Sequence, residues 1–168
     1  MIGLYVFVII VANVITAMFP PLHWFDLIIP CGSFLVGITF FLRDFIQLRI
    51  GKTNIYKLIL LSAGISGVIS ILFGDPLNIA VASVVSFFVS EAFDTEVFTR
   101  IGGSFKKRMV ISGLFGGILD STIFVVLALS PIASGILPWE SVPNAILGQM
   151  LIKCCMQFLV LPILRGVD

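Results

Sequence analysis

The sequence predicts an all-α integral membrane protein: one bundle of six transmembrane helices spanning residues 1–168, with both termini in the cytoplasm. Three observations carry this reading. Of 168 residues, 59% are hydrophobic and 11% charged, whereas a soluble domain carries roughly 25% charged residues to keep its surface wet. Six apolar stretches are each near the ~20 residues that a membrane helix needs. Nine of the ten Lys and Arg residues fall on one side of those stretches, which marks that side as cytoplasmic. The composition excludes a soluble enzyme and a disordered segment. The formal net charge of +1 leaves no basic patch for a nucleic acid.

The six spans run from Ile2 to Phe19, Leu27 to Leu48, Ile55 to Phe73, Leu77 to Phe93, Met109 to Leu129 and Val142 to Leu164. Pro20-Pro21, Gly51, Gly74-Asp75-Pro76, Gly102-Gly103 and the stretch from Pro131 to Pro138 separate them. The first span lacks a basic residue before it and ends in Pro-Pro without a small-residue cleavage site, so it reads as a retained helix. Arg43, Arg49, Lys52 and Lys57 lie at or between spans two and three. Arg100, Lys106, Lys107 and Arg108 lie between spans four and five, and Arg165 follows span six. The remaining loops hold His23, Asp26, Asp75 and Glu140. The expected location is the cell (inner) membrane.

Motifs for other chemistry fail on inspection. Cys31, Cys154 and Cys155 make no C-x-x-C pair, and His23 is the one imidazole, so no zinc set is encoded. Gly51-Lys52-Thr53 resembles the end of a phosphate-binding loop, but Ile46 stands where that loop needs glycine. No cofactor, no metal and no enzymatic activity are expected.

Polar residues inside the spans are the informative ones, because a charge at the bilayer centre costs about 2.5–3.5 kcal/mol on insertion scales. Depth counting puts Asn13, Asp120 and Lys153 near the midplane. Asp44 and Glu91 fall in the cytoplasmic half, and Asp94 lies close to the interface. Helical spacing aligns Gln149, Lys153 and Gln157 on span six, and Ser86, Ser90 and Asp94 on span four. It also aligns Ser112, Gly116 and Asp120 on span five, Asp44 with Gln47 on span two, and Asn13 with Thr16 on span one. Gly113 and Gly117 offer a seam for close helix approach. Span three has only Ser62, Ser66 and Ser70 and reads as scaffold. Arg43 either snorkels to the interface or pairs with Asp94, for which Arg100 is the other candidate partner. Four acids against one or two buried bases suit a ligand rich in N–H donors, and Phe40 among other aromatics offers it a stacking surface.

Three segments resemble the VUT family, the queuosine precursor transporters. They are Phe40-Phe41-Leu42-Arg43-Asp44 leading to Arg49-Ile50-Gly51, Glu91-Ala92-Phe93-Asp94-Thr95-Glu96-Val97-Phe98, and Phe115-Gly116-Gly117-Ile118-Leu119-Asp120-Ser121. Asn13, Asp44, Asp94, Asp120, Lys153 and Pro162 match in order the polar residues and the late proline of that family. Gly117 stands where an Asn can occur, and Gln47 and Arg49 stand where many members carry an acid. The resemblance implies import of 7-cyano-7-deazaguanine, its aminomethyl analogue or queuine. The expected substrate-binding residues are Asn13, Phe40, Asp44, Glu91, Asp94, Asp120, Gln149 and Lys153. Expected partners are the 7-deazaguanine ligand and the lipid bilayer, with no nucleic acid, in a monomer or homodimer.

Two other classes compete. One is a vitamin-type substrate-capture subunit that works with an external ATPase. The other is a pore or scaffold that transports nothing itself and tolerates alanine at Asp94, Asp120 and Lys153.

Overall fold

The structure is a computed structural model that describes residues 1–164. Arg165, assigned to the cytoplasmic side by charge, lies outside the described residues. Six α-helices pack around one another: α1 (Ile2–Met18), α2 (Ser33–Ile50), α3 (Lys52–Leu72), α4 (Leu77–Arg100), α5 (Phe105–Phe124) and α6 (Val142–Val160). A π-helical turn, Val125–Leu129, extends α5, and short 3-10 turns flank α6. Helices Lys52–Leu72, Leu77–Arg100, Phe105–Leu129 and Trp139–Val160 are long and apolar enough to cross a membrane. Helix α1 is apolar but has only 17 residues, and α2 carries Arg43, Asp44 and Arg49 within 18 residues. The chain is an all-α multi-pass membrane protein with one small addition.

That addition corrects the expected second span. Residues Leu27–Ile29 form a strand, β2, paired antiparallel with β1 (Leu22–Trp24), and α2 begins only at Ser33. The physical reason is Pro30. A residue before proline is pushed into extended backbone, so the apolar Leu27, Ile28 and Ile29 pair with Leu22, His23 and Trp24 instead of opening a helix. The loop then docks closely. Gly32 N–H donates to Thr16 Oγ1 at 3.1 Å, and a side chain at Gly32 would overlap that oxygen and the Ala12 carbonyl.

Other boundaries follow local chemistry. Helix α4 runs seven residues beyond the expected Phe93, because the polar segment to Arg100 is tied down at the bundle end. Glu96 accepts from Lys52 at 2.6 Å and from Tyr56 at 2.7 Å. Helix α5 starts at Phe105, where Ser104 caps it by accepting from the Lys107 amide at 3.4 Å. Helix α6 stops at Val160, just before Pro162, whose missing N–H cannot extend the ladder.

The bundle has two unlike ends. The α2–α3 and α4–α5 joints gather Arg49, Lys52, Arg100, Lys106, Lys107 and Arg108 at one end. The hairpin, the Gly74-Asp75-Pro76 turn and the segment from Ser130 to Trp139 gather at the other, where Asn78 Nδ2 reaches the Ala133 carbonyl at 3.4 Å. Both tryptophans, Trp24 and Trp139, are exposed at that second end, as suits a membrane–water interface.

Candidate functional site: a polar chamber above an arginine cage

Two adjoining cavities open from the hairpin end toward the middle of the bundle. The outer one, of about 230 Å³, is lined by Phe19, Pro21, Asp75, Ile136 and Leu137. The inner one, of about 90 Å³, is lined by Ser66, Ser86, Phe87, Asp120 and Lys153. Asn13, Thr16, Pro30, Ser83, Phe124 and Gln149 line both, so together they form one stepped chamber.

Its floor is an ion pair. Lys153 Nζ donates to Asp120 Oδ2 at 2.7 Å, to Ser121 Oγ at 2.9 Å and to Gln149 Oε1 at 3.3 Å. An ammonium has three N–H groups, and these three contacts take them all. Asp120 Oδ1 accepts from Ser90 at 3.3 Å. On the facing wall, Asn13 Nδ2 donates to the Ile9 carbonyl at 2.8 Å, and Asn13 Oδ1 accepts from Ser66 at 3.0 Å. The chamber floor therefore carries no net charge and still presents oxygen acceptors and an amide.

On the basic side of the chamber lies a second cluster, built on Arg43. Its guanidinium is fully buried and faces three carboxylates: Asp44 at 2.7 Å, Glu91 at 3.2 Å and Asp94 in direct contact. It also donates to Thr95 Oγ1 at 2.6 Å and to the Glu91 carbonyl at 3.3 Å. Ser112 donates to Asp44 at 3.4 Å and brings α5 into the same cluster. A planar guanidinium with five donors suits this role, since it can serve several carboxylates at once. Toward the bundle end, Phe98 and Phe105 pack edge to face, and Phe45 meets Phe105 likewise. Arg108 lies over the Phe98 ring at 4.1 Å. The cage and this aromatic layer close the bundle on the basic side.

Glycines make both clusters possible. A Cβ on Gly116 would sit 3.0 Å from the Asp94 Cβ, and one on Gly37 would sit 2.7 Å from the Met156 Cβ and 2.8 Å from the Lys153 carbonyl. Helix α5 thus lies close against α4, and α2 against α6. The seam expected at Gly113 and Gly117 faces Gln157 and Lys153.

The polar stripes do turn inward, but toward two places instead of one. Asn13, Asp120, Gln149 and Lys153 line the chamber. Asp44, Glu91 and Asp94 hold Arg43 and do not line it. Phe40 is 1% exposed, packs near Gly117, and is absent from the chamber wall; the aromatic rings of the inner cavity are Phe87 and Phe124. Of the two readings of Arg43, snorkelling is overturned: the side chain is 0% exposed, and pairing with Asp94 holds. Span three is more than scaffold, because Ser66 lines the chamber and orients Asn13, while Ser70 binds Asp75 at 2.5 Å. Thr16, Thr39 and Ser83 also line the chamber without having been singled out for it. The three-residue spacing of Asn13 and Thr16 on one helix face carried part of that signal; Thr39 gave none.

Chemically, a floor of this kind suits a small, neutral, polar molecule. An anion would meet Asp120, whose partner Lys153 has its donors committed, and a cation would meet Lys153.

Residues 68–167 match the family model described as "Putative vitamin uptake transporter". The matched stretch includes Glu91, Asp94, Asp120, Gln149 and Lys153. No curated protein and no solved structure matches the chain.

Proposed function

The chain belongs to the vitamin uptake transporter family, and from that premise we propose that it imports queuosine precursors: 7-cyano-7-deazaguanine, its aminomethyl analogue or queuine. In this reading the chain forms six membrane spans in the cell (inner) membrane. Both termini and the basic end face the cytoplasm, and the chamber opens outward. The observation that carries the reading is the neutral, hydrogen-bonding floor made by Asp120, Lys153 and Gln149, facing Asn13 in a cavity that Phe87 and Phe124 also line. A deazaguanine is a planar, uncharged ring system with adjacent N–H donors. Asp120 and Asn13 offer acceptors for such donors, and the two phenylalanines offer faces for the ring. A phosphorylated nucleoside would place its charge against a floor without free cationic donors.

Calorimetry with purified protein tests the proposal. Binding of 7-cyano-7-deazaguanine at micromolar affinity or tighter, about 8 kcal/mol, is the expected result. In cells without their own precursor synthesis, the chain should restore queuosine in tRNA when the base is supplied. The family's description favours one other reading, a vitamin as cargo. Heat with a vitamin and none with any deazaguanine would establish that reading and overturn ours.

A further inference from the structure

Gln149 has one half of its amide already assigned. Lys153 Nζ carries only donors, so the group facing it at 3.3 Å must be the Gln149 carbonyl oxygen. The amide nitrogen, Nε2, is then what Gln149 has left to offer. It is buried and has no hydrogen-bond partner, on a side chain 2% exposed that lines both parts of the chamber. A buried donor without a partner costs about 1–3 kcal/mol, and a bound molecule with an acceptor there removes the cost.

Lys153 cannot supply this donor, since its three N–H groups already go to Asp120, Ser121 and Gln149. Asn13 faces the chamber the other way round. Its Oδ1 accepts from Ser66 while its Nδ2 is turned to the Ile9 carbonyl. Asn13 keeps a second lone pair on Oδ1 that can accept from a ligand N–H, whereas the Gln149 nitrogen can only donate.

We infer that Gln149 is the specificity residue that reads a carbonyl on the ligand, donating from Nε2 while Asn13 and Asp120 accept from the ligand's N–H groups. The ligand class is a neutral heterocycle with a lactam edge, –CO–NH–. The inference rests on the deazaguanine reading above and assigns a role within it. The ion pair does not read the ligand's carbonyl; it fixes Gln149, which does.

The test compares two probes on two proteins. The probes are 7-cyano-7-deazaguanine and the analogue lacking its ring carbonyl oxygen; the proteins are the native chain and Gln149→Met, which keeps the side-chain length. A site built to hydrogen-bond a group rejects the analogue that lacks it. The native chain should therefore bind the carbonyl compound about tenfold or more tightly than the analogue, and in Gln149→Met that preference should vanish. If Gln149 only supports Lys153, both affinities fall together and the ratio persists, which overturns the inference. Gln149→Glu, nearly isosteric and able to accept from Lys153 but not to donate, keeps the test open should the methionine variant not fold. It too should lose the preference. If the native chain binds neither probe, the deazaguanine reading fails and this inference with it. Native binding with an unchanged ratio in the variants sinks the inference alone.

Discussion

Lys153 Nζ and Asp120 Oδ2 meet at 2.7 Å between consecutive helices, one side chain 4% and the other 14% exposed. Replacing Asp120 by Asn leaves a buried ammonium without its counter-charge. Breaking a buried pair in this way costs about 3–5 kcal/mol. Asp120→Asn should lower the thermal unfolding temperature of the detergent-solubilised protein and abolish uptake. A variant that melts and transports as the native chain does would contradict the assigned role.

Arg43 is the shared ion-pair partner of three carboxylates from two helices, so its loss should be worse than the loss of any one of them. Arg43→Ala is expected to fail to accumulate in the membrane, measured by immunoblot against a tagged native chain. Adding Glu91→Gln and Asp94→Asn removes two stranded charges and should recover part of the folded protein. Recovery in the triple variant distinguishes charge balance from a packing defect, which extra substitutions would only deepen.

Two glycines give a matched pair for packing. Gly116→Ala places a methyl 3.0 Å from the Asp94 Cβ and should cost about 1–3 kcal/mol, as overpacking does. Gly64 has nothing within 4 Å of an added Cβ, and Gly64→Ala should be neutral or gain up to about 1 kcal/mol from helix propensity. Thermal unfolding of the two variants side by side decides it.

Cysteine labelling checks the orientation. Cys31 is partly exposed beside the hairpin, its Sγ 3.4 Å from the Pro20 carbonyl. In a chain with Cys154 and Cys155 replaced by Ala, a membrane-impermeant maleimide should label Cys31 in cells whose inner membrane is intact. Ser104→Cys, placed in a Cys31→Ala background, should label only after that membrane is permeabilised. The opposite pattern would invert the assigned orientation.

Much of this arrangement was legible before any coordinates. Apolar runs and breakers located six helices, and depth counting put Asp120 and Lys153 level on neighbouring helices, where they indeed meet. Spacing along one helix gives a face, but it does not say how that face is rotated toward the others. For that reason the acids of α2 and α4 read as part of one site with Asp120, although Arg43 gathers them into a separate cage. Residues Leu27–Ile29 were misread for a different reason. Hydrophobicity alone suited a helix there, and the conformational effect of Pro30 on its predecessor outweighed it.

The joint between α2 and α3 is a single residue, Gly51, at φ 78°. One residue cannot act as slack. The Arg43 and Ser66 segments are therefore held at a short, fixed chain distance from one joint. Arg43 lies on one of the two joined helices and Ser66 on the other. Ser66 sets the orientation of Asn13 in the chamber, while Arg43 bars the opposite end. A mutation that lengthens the joint should therefore disturb the Arg43 contacts and the Ser66–Asn13 bond together.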